Sequence, residues 1–102
     1  YETFRAAIAD DPRHWPALYN LALTALSLAR SVSPVQQAPL LDEAVDALMR
    51  AKAVAPGNLD LRLLLARALA AAGHREEARR EASELIALAP SSAQAREVRV
   101  LQ

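Results

Sequence analysis

The segment LRLLLARALAAAGHREEARREASELIALAP, residues 61–90, contains two apolar patterns with helical spacing. Apolar side chains recur every three or four positions in both halves, which is the periodicity of an amphipathic helix. Gly73 separates the halves and Pro90 ends the second one. Glycine suits the left-handed turn that joins two antiparallel helices, and proline cannot continue a helix. The segment therefore predicts two antiparallel helices joined by a short turn.

Three prolines indicate that this unit is repeated. Pro12, Pro56 and Pro90 each close an alanine-rich segment. The separation from Pro56 to Pro90 is 34 residues, and that from Pro12 to Pro56 is 44, ten more. When the segments are aligned on these prolines, Leu21 falls over Leu65, and the same register continues along both helices. The chain is thus predicted to repeat with a period of 34 residues and one ten-residue insertion.

A 34-residue period of two helices resembles the tetratricopeptide repeat. That family's pattern has a large residue, then Leu followed by a small residue, later Gly, Ala, an aromatic residue, Ala and a closing Pro. Arg62 and Leu85 depart from the usual large and small residues. The resemblance implies an all-α fold, an α-solenoid of antiparallel helix pairs in a right-handed superhelix. The residues that carry the match in this segment are Leu65, Ala66, Gly73, Ala78, Ala82 and Pro90.

Six helices are expected in one domain covering residues 1–102. Their ranges are about 1–10, 14–30, 40–54, 58–72, 75–88 and 92–101. The parts of the domain are the second helix of a partial repeat (1–12), a repeat with an insertion at about 31–40 (15–56), a repeat (59–90), and a partial repeat or capping helix (92–102).

The insertion SVSPVQQAPL, residues 31–40, carries no charge and two prolines, Pro34 and Pro39. Proline inside a helix removes a hydrogen bond, so we expect a loop here. Two roles remain open. The loop is either a tolerated surface excursion or a lip of a binding groove.

Composition limits the class of protein. There are 24 Ala and 17 Leu against 8 Val and Ile, which favours helix over sheet. The 12 basic and 12 acidic side chains cancel, which argues against nucleic-acid or anionic-membrane binding. We expect a soluble chain, cytoplasmic or periplasmic. The excess of Arg over Lys suggests a bacterial source, and the start at Tyr1 suggests a segment of a longer chain.

Candidate catalytic and metal-binding residues are few. His74, Glu77 and Glu81 share one helical face, but their spacing matches no zinc signature, so a solvated face is the preferred interpretation. His14 is interpreted as a capping or packing residue. The sequence has no Gly-rich phosphate loop and no nucleophile elbow. We therefore predict no enzyme activity, no cofactor and no metal for this segment.

A second apolar stripe lies beside the core stripe of the helix predicted at 14–30. Tyr19, Leu23 and Leu26 recur at i, i+4 and i+7, and Leu63 and Arg67 occupy matching positions in the next repeat. In the family this face lines the concave groove. We expect a scaffold that binds a peptide or helix of another protein by apolar contacts, with Arg67 as a polar anchor. The alternative is that these residues meet a neighbouring repeat, the parent chain or a second copy.

Some family members hold the acidic tails of chaperones with a clamp of Lys, Asn and Arg. Here Tyr19 and Leu23 stand at the positions of the first basic residue and the Asn, and Leu64 replaces another member. Only Asn20 matches. The resemblance therefore does not predict a chaperone-tail adaptor.

Two further functions stay open. The helices could serve as an accessory domain that positions a catalytic domain elsewhere in the parent chain. The exposed repeat ends could also form a homo-oligomer, since Tyr1, Phe4 and Ile8 lack a polar capping helix before them.

Overall fold

The computed structural model describes residues 14–101, and its regular elements are all helices. Five of the six predicted helices lie in this range. Their ends are within two residues of the prediction except at the start of the helix predicted at 40–54, which begins six residues earlier, and at the end of the helix predicted at 92–101, whose last three residues form a 3-10 turn. The helix predicted for residues 1–10, with Tyr1, Phe4 and Ile8, lies outside the described residues. The helices are α1 (Trp15–Ala29), α2 (Pro34–Val54), α3 (Leu59–Ala71), α4 (Arg75–Leu88) and α5 (Ala93–Val98), followed by a 3-10 turn (Arg99–Leu101).

Side chains at the helix starts satisfy free backbone N–H groups. Nδ1 of His14 accepts from the N–H of Ala17 at 3.1 Å, which gives this histidine the capping role expected from the sequence. Oδ1 of Asn58 accepts from the N–H of Leu61 at 3.1 Å, so α3 also begins at a capping side chain. The starts of α1 and α3 are therefore fixed locally, by the residues that immediately precede each helix.

Gly73 makes the turn between α3 and α4 possible. Its φ is +87°, a value that residues with a side chain rarely adopt. The N–H of His74 donates to the carbonyl of Leu69 at 2.9 Å, and that of Gly73 to the carbonyl of Ala70 at 3.1 Å. This pattern satisfies the last carbonyls of α3 and reverses the chain.

Neighbouring helices pack in the order of the sequence. α2 packs against α1 and α3, and α3 packs against α4 and α5. Short connections make each of the first four helices antiparallel to the next: α1 to α2, α2 to α3, and α3 to α4. α1 and α3 consequently run in the same direction, with α2 packed against both. This is the arrangement of a helical repeat of the predicted type.

Alanine dominates the core. Of the 21 buried apolar residues in the described range, 12 are alanines, among them Ala22, Ala44, Ala66 and Ala82 with no exposed surface. Small side chains let helix axes approach to about 8 Å, the lower end of ordinary helix packing. Leucines such as Leu18, Leu48 and Leu65 fill the space between these contacts. The core is continuous through α3, which contributes to both buried clusters.

The predicted loop at 31–40 is wrong for most of its length. α1 ends at Ala29, and α2 already begins at Pro34, so only a short turn around Val32 separates them. Pro34 takes the first helical position, where its missing N–H costs nothing. Pro39 lies inside the helix and removes the N–H that the carbonyl of Val35 would accept from, but Val35 is 84% exposed, so water can bond that carbonyl.

Tertiary contacts stabilise this early start of α2. Nε2 of Gln37 donates to the carbonyl of Ala29 at 2.8 Å, which joins the first turn of α2 to the last turn of α1. Interior proline costs about 3 kcal/mol in an isolated helix. That local cost was the basis for predicting a loop, and packing against α1 offsets it here.

A buried ionic cluster joins α2, α3 and α4. Nζ of Lys52 donates to both carboxylate oxygens of Glu81, at 2.6 and 2.8 Å. Nη1 of Arg62 donates to the carbonyl of Pro56 at 2.9 Å, and its Nη2 lies 3.5 Å from Oε1 of Glu84. Glu81 is 7% exposed, so the predicted solvated face is wrong for this residue. It turns inward because the cations of two neighbouring helices lie opposite it.

We predict that Ala66→Leu lowers the free energy of unfolding by about 1 to 3 kcal/mol. Ala66 has no exposed surface, so the added carbons overpack the contact between α3 and its neighbours. The control is Arg79→Leu, at an exposed position of α4, where the change should stay within about 0.5 kcal/mol. Urea denaturation measures both. Equal stability of Ala66→Leu and the parent would show that this contact is not close.

We also predict that Glu81→Gln destabilises the chain by about 2 to 3 kcal/mol, because it leaves Lys52 and Arg62 partly buried beside a neutral amide. The matched control is Glu77→Gln, one turn earlier on the exposed surface of α4, with an expected change near zero. Thermal unfolding at neutral pH compares the two. If both variants melt with the parent, the cluster contributes no net stability.

Candidate functional site

Two pockets lie along the cleft between α1 and α3. The first, here called the basic pocket, has a volume of about 530 Å³ and is open to solvent. The second, here called the aromatic pocket, has a volume of about 260 Å³. The basic pocket is lined by Leu23, Leu26, Ser27, Ala29, Arg30, Gln37, Leu41, Leu64, Arg67 and Ala71. The aromatic pocket is lined by Trp15, Pro16, Tyr19, Asn20, Asn58 and Asp60.

The positions of these residues order the two pockets. The aromatic pocket takes its lining from the first turns of α1 and α3, and the basic pocket takes its lining from their later turns. Because the two helices run in parallel, the pockets follow one another along a single cleft. We call this cleft the α1–α3 groove.

The basic pocket combines apolar walls with two guanidinium groups. Leu23 is 41% exposed, and the partly buried Leu26 and Leu64 also pack against the core. Arg30 is exposed and Arg67 pairs with Glu97 of α5 at 3.1 Å. Both side chains of that pair are more than half exposed, so solvent screens it. None of the lining residues is acidic.

The aromatic pocket has the opposite charge. The rings of Trp15 and Tyr19 meet edge to face, with centroids 6.5 Å apart and an interplanar angle of 81°. Asp60 lies beside them and accepts a hydrogen bond from Nε2 of Gln94 at 2.8 Å. Partial burial, and then the negative charge of Asp60, raise the pKa of Tyr19 above its usual value. The carboxylate therefore acts on the ring that lines this pocket.

Four of the five predicted groove residues line these pockets, and Leu63 does not. Leu23, Leu26 and Arg67 meet in the basic pocket, and Tyr19 lies in the aromatic pocket. Leu63 was expected on the exposed face, but it is 7% exposed and packs against Leu85 and Val98. The expectation of exposure is wrong for Leu63 because α4 and α5 cover that side of α3.

Twelve of the sixteen residues that line the two pockets were not among the predicted site residues, and three of the twelve are Leu64, Gln37 and Leu41. Leu64 replaces Leu63 as the apolar wall contributed by α3, since adjacent helical positions point about 100° apart. Gln37 and Leu41, from the first turns of α2, close the end of the basic pocket. The segment treated as an insertion thus contributes to the edge of the groove. Leu41, directly after this segment and seven residues before Leu48, is an apolar spacing signal that the sequence contains.

The described residues contain no cluster of three or more His, Asp or Glu side chains that could hold a metal ion. His74 and Glu77 are exposed, whereas Glu81 is bound within the ionic cluster, so the three do not share a site. Across the part of the chain that the structure describes, no helix is both long enough and apolar enough to span a bilayer.

Comparison with known proteins gives the family. A family model described as tetratricopeptide repeat matches residues 40–99, more than half of the chain. The chain belongs to the tetratricopeptide repeat family, as the spacing of its prolines and alanines indicates. No curated protein matches it. Repeats of this family generally mediate binding between proteins and are typically non-catalytic modules.

We predict that Asp60→Asn lowers the pKa of Tyr19. Loss of the negative charge removes one of the two causes that raise it above 10.0, while burial remains. Because the pKa is higher in the folded chain, deprotonation of Tyr19 opposes folding, and stability should fall as the pH rises through the folded pKa. Absorbance of the phenolate measures the titration. Tyr19→Phe assigns the signal, since Tyr1 also titrates, and an unchanged pKa in Asp60→Asn would contradict the proximity of the two groups.

Proposed function

We propose that this chain is a protein-interaction module that binds a peptide segment or a helix of another protein in the α1–α3 groove. The exposure of Leu23 in an open pocket with three further leucines is the observation that carries the proposal. Apolar contacts supply the affinity, and Arg67 serves as a polar anchor. The family's general role in binding between proteins agrees with this assignment.

The volume of the basic pocket is typical of ligand-binding sites. The basic pocket falls within the range of about 300 to 1,000 Å³ that is usual for binding sites. Its walls are mainly apolar, with a few polar groups that can orient a partner: the two guanidinium groups, the Ser27 hydroxyl and the Gln37 amide. Such a combination favours a partner in which an apolar side chain lies next to a polar backbone group or an anionic group.

The apolar surface is smaller than the sequence stripe indicates. Leu63 is buried by this chain's own helices, and Tyr19 is partly buried against its own core. Apolar residues that pack within the chain are not free for a partner. This observation therefore also favours the accessory-domain alternative. Self-association through exposed repeat ends also remains an alternative, since Leu88 and Val100 are exposed. Light scattering of the purified chain distinguishes self-association from the other two.

A selection of short random peptides displayed on phage tests the groove without knowledge of the partner. Peptides that bind the chain should lose about tenfold or more in affinity to Leu23→Ser, by the magnitude usual for an apolar contact at the centre of an interface. Anisotropy of the labelled peptides measures the affinity. Leu28→Ser is the matched control, because Leu28 lies on the same helix, is also 41% exposed and lines neither pocket.

Helical spectra and melting temperatures of both variants should stay close to those of the parent. If Leu23→Ser and Leu28→Ser reduce the affinity of the peptides equally, or if neither variant reduces it, the binding surface lies outside the α1–α3 groove. Failure of the selection to yield any binding peptide would favour the accessory-domain alternative.

A further inference from the structure

Charge is distributed unequally along the α1–α3 groove. Asp60 lies in the aromatic pocket, at the start of both helices, whereas Arg30 and Arg67 lie in the basic pocket, toward their ends. No acidic residue lines the basic pocket, and no basic residue lines the aromatic pocket. Leu23 and Leu64 occupy the stretch between the two charged ends. The groove is therefore acidic and aromatic at one end, apolar in the middle and basic at the other.

We propose that the groove binds an extended peptide in one direction, with a cationic residue in the aromatic pocket and an acidic residue in the basic pocket. This inference rests on the proposed function and adds the chemistry and the orientation of the partner. The apolar residues of the peptide lie between the charged ones, over Leu23 and Leu64.

The groups at each end are available to a ligand. The two rings of the aromatic pocket can take a cation against a ring face, and Asp60 keeps acceptor capacity beyond its bond to Gln94. Arg30 has no ion-pair partner among the described residues. Arg67 can exchange the exposed carboxylate of Glu97 for that of a ligand at little cost, because such surface pairs contribute weakly.

The length of the groove sets the length of the peptide. Tyr19 and Arg30 are eleven residues apart on one helix, which corresponds to about 16 Å at the helical rise. An extended chain covers that distance in about five residues. The probe follows from this length: the capped peptide Lys-Leu-Ala-Leu-Glu, compared with its reversal Glu-Leu-Ala-Leu-Lys, which has the same composition and net charge.

Two-dimensional NMR titrations of the labelled chain with each peptide test the orientation. In only one of the two peptides does the favourable N-to-C direction of the backbone in the groove also place the lysine in the aromatic pocket. That peptide should bind about fivefold to tenfold more tightly than the other at low salt. This preference should fall in 1 M salt, because ions screen exposed charges. Shifts should appear at Tyr19 and Leu23 together.

Because a capped peptide can also reverse its direction in the groove, spin labels decide the orientation. A nitroxide attached beside the lysine of the tighter peptide should broaden signals of Trp15 and Tyr19, and one attached beside the glutamate should broaden those of Arg30 and Arg67. Equal broadening of both ends by either label overturns the proposed orientation, even if the peptides bind.

A charge-exchanged variant provides the second readout. Asp60→Lys combined with Arg67→Glu keeps the net charge and should reverse the pattern of broadening. The matched control exchanges the exposed pair of α2, Asp46→Lys with Arg50→Glu, which lines neither pocket and should leave the pattern unchanged. If the first variant unfolds, Arg30→Gln replaces it and should weaken binding of the tighter peptide about threefold.

The outcomes separate this inference from the proposed function. Binding without orientation that is still lost in Leu23→Ser overturns the inference and leaves the proposed function intact. Binding that persists in Leu23→Ser overturns both. If neither peptide binds at millimolar concentration, the inference is overturned. The proposed function is then tested independently by the selection of displayed peptides.

Discussion

Close contact between helices at buried alanines is the constraint on which the other features depend. Ala22, Ala44 and Ala68 have no exposed surface and lie in one buried cluster, and no side chain larger than a methyl group fits at those contacts without moving a helix. The contacts seat α2 against both α1 and α3 and fix these two helices in parallel. A parallel pair with a third helix packed against both leaves a cleft between them. The groove therefore follows from the packing of the core and needs no dedicated loop.

Alanine side chains are small and leave space between the helices. Part of that space, between α2, α3 and α4, is occupied by the ionic cluster. Arg62 stands where the family pattern has a large residue, and its stem fills the volume while its guanidinium reaches the carbonyl of Pro56. Glu81 then faces two cations from two different helices. Desolvation offsets much of the attraction in such a cluster. Its main effect is to define how α4 sits against α2 and α3, because a shift of one residue would separate the carboxylate from Lys52.

The sequence predicts the local features of this fold well and the tertiary ones less well. Helix ends at Asn58 and Gly73 follow from backbone chemistry that acts within a few residues, so they could be read from the chain. The start of α2 could not, because the cost of Pro39 is local whereas the contacts that offset it come from α1. Four of the five predicted groove residues line the two pockets, but Leu63 and Leu64 are adjacent on the helix. The positions of α4 and α5 decide which of them is covered.

Helix dipoles give a second reason for part of the charge pattern in the groove. Both helices begin at the aromatic pocket, where Asp60 in the first turn of α3 is favoured, and α1 ends at Arg30, where a cation is favoured. The side-chain charges therefore oppose the dipoles, and the long-range field along the groove is reduced. A partner would sense its polarity mainly through direct contact with the carboxylate and the guanidinium groups. Arg67 lies away from the last turn of α3, where dipole effects are weak, so helix stability does not account for its place in the basic pocket.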